Sequence, residues 1–228
     1  MISTVDAVVL RAGHDGLELL LWQRPADADA FPGVWALPGG WVFEDQDADL
    51  AATVTRLLAT KVGFTPDYLE QVETIGSRDR DPRGWSMTVL HLALVRQSAS
   101  QVSRPDICWR PVAALRAKPQ LPFDHDLLLA KALTRLAARA SYSTLPLYLA
   151  EHELKLPELQ RIYELALGNP LHKRAFRDRL LASGVLEDTG QRVHGRGSPA
   201  VIYRYRANQP VCMFDRVMQG ATGDRDDD

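Results

Sequence analysis

The spacing of apolar residues changes period several times along the chain, and each change marks an element. Residues 5–10 and 17–22 are short apolar runs separated by His14-Asp15-Gly16, which predicts a β-hairpin. From 47 to 61 the period lengthens. Leu50, Val54, Leu57 and Leu58, continued by Val62, share one face of an amphipathic helix that Gly63 ends. Residues 68–77 and 86–95 return to strand character, with Met87, Val89, Leu92 and Leu94 suited to a buried sheet and His91 reading as a core histidine. A further short strand covers 107–112. Asp124 then caps a helix reaching about 140, in which Leu127, Leu128, Leu133 and Leu136 are apolar. His125 at that helix start reads as a capping or surface residue rather than a metal ligand.

After residues 141–144, Ser-Tyr-Ser-Thr, the pattern starts again. This divides the chain into residues 1–142, a second domain at 143–210 and an acidic, partly disordered tail at 211–228. Pro157 opens a helix with Leu159, Ile162, Tyr163 and Leu165 on its buried stripe, and Gly168-Asn169-Pro170 turns the chain. A second helix, about 171–183, ends at Gly184. A hairpin follows, its arms flanking 191–199 and returning through 200–205. Helix, tight turn, helix and hairpin is the plan of a winged helix-turn-helix. The second helix sets Lys173, Arg174 and Arg177 opposite Leu171, Ala175, Phe176, Leu180 and Leu181, and the wing carries Arg192, His194 and Arg196. A charged helix face is often merely solvated. Followed by a basic, glycine-rich wing, it points instead to the phosphates and groove of double-stranded DNA.

Composition narrows the class. Twenty-seven basic and 29 acidic residues give a net charge of -2, so a nucleic-acid surface has to be local. Cys108 and Cys212 form no metal-ligand or C-x-x-C pattern and read as reduced thiols. No basic region followed by an apolar run opens the chain, and no apolar stretch is long enough to span a bilayer. The expectation is a cytoplasmic, nucleoid-associated protein without a membrane partner.

The stretch from Leu37 to Phe64 resembles the Nudix box, G-x5-E-x7-R-E-U-x-E-E-x-G-U, where U is a bulky aliphatic. Gly40, Arg56, Leu58 and Gly63 stand on its landmarks, with about two extra residues between Gly40 and Arg56. The box's metal-holding glutamates fall at Leu57, Thr60 and Lys61, and magnesium requires hard oxygen ligands that leucine and lysine cannot supply. The earlier glutamate falls at Gln46 or its neighbours, among Glu44, Asp45, Asp47 and Asp49, where charge suits the helix dipole. The resemblance therefore implies a Nudix domain with no catalytic and no metal residues. The alternative is a Nudix hydrolase that cleaves ADP-ribose-like diphosphates with magnesium through Glu44, Asp45 and other acids.

Gln23-Arg24-Pro25, then Phe31-Pro32-Gly33-x-Trp35-x-Leu37-Pro38-Gly39-Gly40, and Arg80-Asp81-Pro82-Arg83-Gly84-Trp85 resemble the Nudix branch that handles ADP-ribose-like molecules. The ligand residues so implied are Arg24, Trp35, Gly39, Gly40, Arg80 and Arg83. Trp35 suits the core equally well. Lys61 is expected to bring positive charge near a pyrophosphate, the other reading being a surface lysine at a helix end. Leu145-Pro146-Leu147, Leu156-Pro157-Glu158-Leu159-Gln160 and Lys173-Arg174-Ala175-Phe176-Arg177 resemble the C-terminal domain of the NrtR family, Nudix-related regulators of NAD metabolism. That resemblance implies an α+β chain, a Nudix α/β/α sandwich followed by a winged helix-turn-helix. It also implies a homodimeric repressor on a palindromic operator, no cofactor, and ADP-ribose as effector.

Overall fold

One strand, buried on both faces, sets the architecture of the first half. The computed structural model describes residues 2–101, 103–195, 197–205 and 210–218. In it, β1 (Ile2–Ala12) lies at the middle of a seven-stranded sheet. Val5, Ala7 and Val9 alternate with Val8 and Leu10, and both sets are buried, as period-two side chains are when a sheet is covered on both sides. Strands β2 (Leu17–Gln23), β3 (Trp35–Ala36), β4 (Gly39–Trp41), β5 (Tyr68–Ser77), β6 (Ser86–Leu94) and β7 (Ile107–Pro111) complete the sheet. The order is β3-β2-β1-β6-β5, with β4 beside β1 and β7 beside β2. Among the described strands, only β1 and β6 run parallel.

One edge of β1 is shared between two partners. Leu10 faces Leu19 of β2, whereas Thr4 and Asp6 face Trp41 and Gly39 of β4. The two partners splay apart along that edge and leave an opening between them.

Helix α1 (Leu50–Lys61) begins three residues later than its periodicity suggests. Asp49 is its N-cap and accepts a 2.7 Å bond from the Ala52 N–H. Asp47, outside the helix, grips Arg56 through two 2.7 Å bonds, and those bonds hold its carboxyl well below the usual range. Val54, Leu57, Leu58 and Val62 pack against Val5, Ala7, Val9, Val89 and Ala93. Gly63, at φ +88°, lets its N–H return to the Leu58 carbonyl and close the helix.

A short helix, α2 (Val112–Ala117), was not indicated by the pattern; six residues are too few to establish a period. Helix α3 (His125–Tyr142) follows, and Lys131 and Arg135 pair with Glu73 and Glu70 of β5 at 2.9 and 3.1 Å.

A buried ionic network fixes the turn before β4. Arg80 grips Asp124 through two 3.0 Å bonds, reaches Asp6 at 3.4 Å and donates to Ser86 at 3.2 Å. Its side chain is 5% exposed. Asp124, expected to cap α3, thus has its carboxylate on Arg80. His125 is buried rather than on the surface. Its Nδ1 accepts the Leu37 N–H at 3.1 Å, which leaves Nε2 facing Asp6 at 3.7 Å. Burial holds this imidazole below its ordinary pKa despite the two neighbouring aspartates. His91 is a core histidine on β6, bonded to the Val89 carbonyl at 3.0 Å.

The chain divides into two compact units, Met1–Arg135 and Leu136–Asp228. The division falls inside α3, between Arg135 and Leu136, ahead of the 142/143 boundary expected from composition.

The second unit contains a 3-10 turn (Leu145–Leu149), β8 (Glu153–Leu154), α4 (Leu156–Leu167), α5 (Lys173–Ala182), β9 (Leu186–Gly195) and β10 (Gly197–Tyr205). The three strands form one sheet in the order β8-β10-β9. The strands of the wing reach Gly195 and Gly197, closer to its tip than the expected loop at 191–199. Tyr163 anchors this unit: it is fully buried, its hydroxyl donates to the Ser143 carbonyl at 3.0 Å, and its ring meets Phe176 edge-on at 5.2 Å. Gly168, left-handed at φ +77°, ends α4. Gln160 and Glu164 then tie the turn to the Leu171 backbone at 3.1 and 2.9 Å.

Residues 211–218, expected to form part of the tail, are held by the segment at 141–144. Cys212 and Thr144 exchange backbone and hydroxyl bonds at 2.9 Å, Phe214 and Met218 donate to Tyr142 and Ser141, and Met218 is buried. Residues 219–228, including the acidic end at 223–228 read as disordered, lie outside the described residues.

Two stability outcomes follow from this packing. Leu58→Ala, at a fully buried contact between α1 and the sheet, is expected to cost roughly 2–5 kcal/mol in chemical denaturation. Arg80→Ala strands Asp6 and Asp124 without their cation. The same experiment should show a loss of about 3–5 kcal/mol, the size expected for breaking a buried ion pair from one side.

Candidate functional site

Where β2 and β4 part, the first unit opens into a cleft of about 280 Å³. That approaches the lower end of the roughly 300–1,000 Å³ usual for small-molecule sites. Arg24, Gly39, Gly40, Lys61, Arg80 and Arg83 all line it. Trp35 does not: it pairs with Gln23 through β3 and stays half-buried in the sheet. The indoles in the cleft belong to Trp22 and Trp41, and Phe123 adds a third ring. The floor is backbone. A Cβ at Gly39 would lie 2.1 Å from Asp6 Oδ1 and 2.7 Å from the Val5 carbonyl, so glycine is required for β4 to approach β1.

The four cations of the cleft are not equivalent. Arg80, expected from the resemblance as a ligand residue, is buried and saturated by Asp6, Asp124 and Ser86. Arg83 is clamped by Asp81 through bonds of 3.0 and 2.7 Å, with its guanidinium 5.7 Å from the Trp41 ring. Burial alone would raise the Asp81 pKa. The hydrogen bonds and charge of Arg83, helped by Arg80, nonetheless hold it below the usual range.

Arg24 and Lys61 differ from that pair. Arg24 Nε donates to the Ala30 carbonyl at 2.8 Å and its guanidinium lies 5.0 Å over Phe123. Lys61 Nζ donates to the Gly39 carbonyl at 2.5 Å and sits 4.1 Å over Trp22. Among the described residues, neither has a carboxylate within ion-pair distance. Burial, then the nearby Arg24 charge, pushes the Lys61 pKa down to about 8, with Asp6 opposing. Burial and Arg83 likewise lower Arg24. Two cations whose partners are neutral carbonyls, in a cleft walled by aromatic faces, favour an anion carrying a flat ring.

Backbone strain gathers at the same wall. Phe31 and Phe123 adopt φ values of 48° and 58°, uncommon for any residue but glycine, and their rings meet edge-on at 4.6 Å. The contact holds the loop after Arg24 against the segment leading into α3.

The box positions are equally specific. Leu57 is buried under the turn, 3.0 Å from where a Gly40 Cβ would stand. Thr60 is exposed and donates back to the Arg56 carbonyl at 2.8 Å. Glu44 and Asp45 stand on an exposed turn and do not line the cleft.

In the second unit, Lys173, Arg174 and Arg177 are exposed along α5, while Phe176 and Leu180 are buried on its other side. Arg179 is turned away from this surface and donates to the Val217 carbonyl at 2.7 Å. Arg192 on β9 is half-engaged with Asp188, through two 3.0 Å bonds between exposed groups that a competing phosphate can exchange. His194 belongs to β9, and Arg196, also expected to meet DNA, lies outside the described residues.

Sequence reasoning missed Asp6, Trp22, Trp41, Asp81 and Phe123 as cleft residues. Trp22 carried a signal, standing two residues before Arg24 at the end of a strand. Asp6 carried one as well, a lone acid inside an apolar strand.

Residues 2–132 match the NUDIX domain family, and residues 146–205 match the NrtR DNA-binding winged helix domain. The chain is similar to the ADPR responsive transcriptional repressor NtrR of Acinetobacter baylyi, being 39% identical over 222 residues that span 96% of this chain and 87% of the relative. It is also similar to the crystal structure of Shewanella oneidensis NrtR complexed with a 27mer DNA. There the TM-score is 0.85 at 38% identity, over 96% of this chain and 100% of that one. The NUDIX domain of that Shewanella protein, complexed with ADP ribose, matches with a TM-score of 0.53 at 41% identity, over 60% of this chain and 88% of the other. A NUDIX domain followed by an NrtR winged helix, at this identity and over nearly the whole length, places the chain in the NrtR family.

Proposed function

We propose that this protein is a transcriptional repressor that reads DNA with α5 and the wing of its second unit and senses ADP-ribose in the NUDIX cleft. One observation carries the sensing half: Arg24 and Lys61 line the cleft hydrogen-bonded to carbonyl oxygens and, among the described residues, with no carboxylate within ion-pair distance. A diphosphate supplies the missing negative charge, and Trp22, Trp41 and Phe123 supply faces for the adenine. Binding of ADP ribose by the Shewanella relative's NUDIX domain supports the same ligand here. The exposed basic face of α5 and the DNA complex of that relative support duplex DNA as the partner.

The box favours binding over hydrolysis. Leu57, Thr60 and Lys61 stand where metal-holding carboxylates would be needed, and the remaining acids nearby are committed to Arg56, to the α1 cap or to solvent. We read the domain as a sensor without turnover. As a homodimer, the protein would set two reading helices about one DNA turn, roughly 34 Å, apart on a palindromic operator. No described helix is long and apolar enough to cross a membrane, and a DNA-bound role fits a protein that works beside the nucleoid.

Fluorescence anisotropy of the full chain on its own upstream DNA, with and without ADP-ribose, tests this reading. Specific binding that weakens steeply with salt is expected, with ADP-ribose shifting the affinity by roughly 5- to 150-fold. Unaltered DNA binding across an ADP-ribose titration would refute it. In the same assay Arg177→Ala should weaken binding to all sequences and reduce the salt slope by about one, as loss of one phosphate contact does. A pH series on ADP-ribose affinity gives a third readout. The protonated Lys61 is the form an anion favours, so affinity should hold below pH 8 and fall as pH rises past about 8. Lys61→Arg, which stays charged, should flatten that fall.

A further inference from the structure

We propose that the Lys61 ammonium is a tethered cation standing in for the divalent metal of the NUDIX box, so that the cleft holds a diphosphate without a metal ion. The proposal rests on the ADP-ribose reading above and deepens it.

The donor set does not fit a divalent ion. A hard cation of this kind needs anionic oxygens converging on one point. The three box positions offer an aliphatic side chain, a hydroxyl bonded to its own helix, and an ammonium. Of the acids lining the cleft, Asp6 is held by Arg80 and faces His125, and Asp81 is held by Arg83; the exposed Asp29 is a lone carboxylate, and Asp47, near the box, is held by Arg56. Among the described residues, no group of three or more histidines, cysteines and acids could hold a metal.

The same geometry suits a fixed ammonium. Leu57 and Lys61, one helical turn apart, both meet the Gly39-Gly40 turn; a Cβ at Gly40 would be 3.0 Å from Leu57 Cδ2 and 3.6 Å from Lys61 Nζ. One N–H of Lys61 is spent on the Gly39 carbonyl and the Trp22 face lies 4.1 Å from the ammonium on another side, while its remaining N–H groups can donate to a ligand. Arg24 provides the second charge on the same cleft. The diphosphate of ADP-ribose bears two negative charges, and these two cations match them. A covalently attached cation needs no free ion, so ligand affinity becomes independent of magnesium concentration.

Isothermal titration of the full chain with ADP-ribose, in chelator and in excess magnesium, tests this together with Lys61→Met and Lys61→Arg. Equal wild-type affinity in both buffers is expected. Lys61→Met should be weaker in both by roughly ten- to a hundredfold, the loss of one charge-assisted bond. Lys61→Arg should keep most of the affinity. Operator binding without ligand verifies that each variant is folded. Wild-type affinity that rises with magnesium, or a Lys61→Met protein that binds like wild type, would overturn the tethered-cation proposal and leave ADP-ribose sensing standing. Absence of ADP-ribose binding by wild type in either buffer would remove the sensing reading itself.

Discussion

The grip of Arg80 on Asp6 and Asp124 is the interaction on which the cleft depends. Three charges taken out of water are stable only as a set, because removing any one leaves the others desolvated and unpaired. Asp6 is both a member of that set and the residue against which Gly39 is pressed. The charge network therefore also sets how deep the Gly39-Gly40 turn sits. His125 adds the other constraint by accepting the Leu37 N–H just before the turn. With the turn fixed, its carbonyl fixes Lys61, and the cleft acquires its charge.

Arg80, Arg83 and Arg24 show how identical side chains divide their tasks. One is consumed by the fold, one is clamped by its neighbour Asp81, and Arg24, from a different loop, remains directed at the cleft. Positive charge in a sequence motif is thus a poor guide to positive charge at a site. Balance is decided by which carboxylates the fold brings within reach, and here the two uncompensated cations come from the end of β2 and the end of α1. The strained pair Phe31 and Phe123 closes the wall between them.

Much of the plan was legible in the chain. The α1 stripe, the Gly63 stop, the β1–β2 hairpin and the basic face of α5 rest on local periodicity and turn chemistry, and they appear with small shifts at their ends. The two-domain order and the family were readable for the same reason, since their motifs are contiguous. The network was not legible, because Arg80 lies 74 residues from Asp6 and 44 from Asp124, and nothing in its local string of charges points to partners that distant. The choice of indoles failed in the same way. Trp35 sits in the conspicuous motif, yet strand pairing directs it into the sheet, and Trp22 and Trp41 face the ligand side instead. Residues 211–218 were read as tail because their partners, from Ser141 to Thr144, lie at the other end of the second unit's sequence.

The central claim is that the NUDIX domain of this repressor has exchanged a metal-gathering helix face for a cation of its own. A crystal structure of the full chain with ADP-ribose, grown with manganese as an anomalous scatterer, examines that claim most directly. The account predicts the diphosphate within hydrogen-bonding distance of Lys61 Nζ and the Arg24 guanidinium, with no anomalous peak at the cleft. A manganese peak bridging the diphosphate and α1, or a diphosphate that bypasses Lys61, would contradict it.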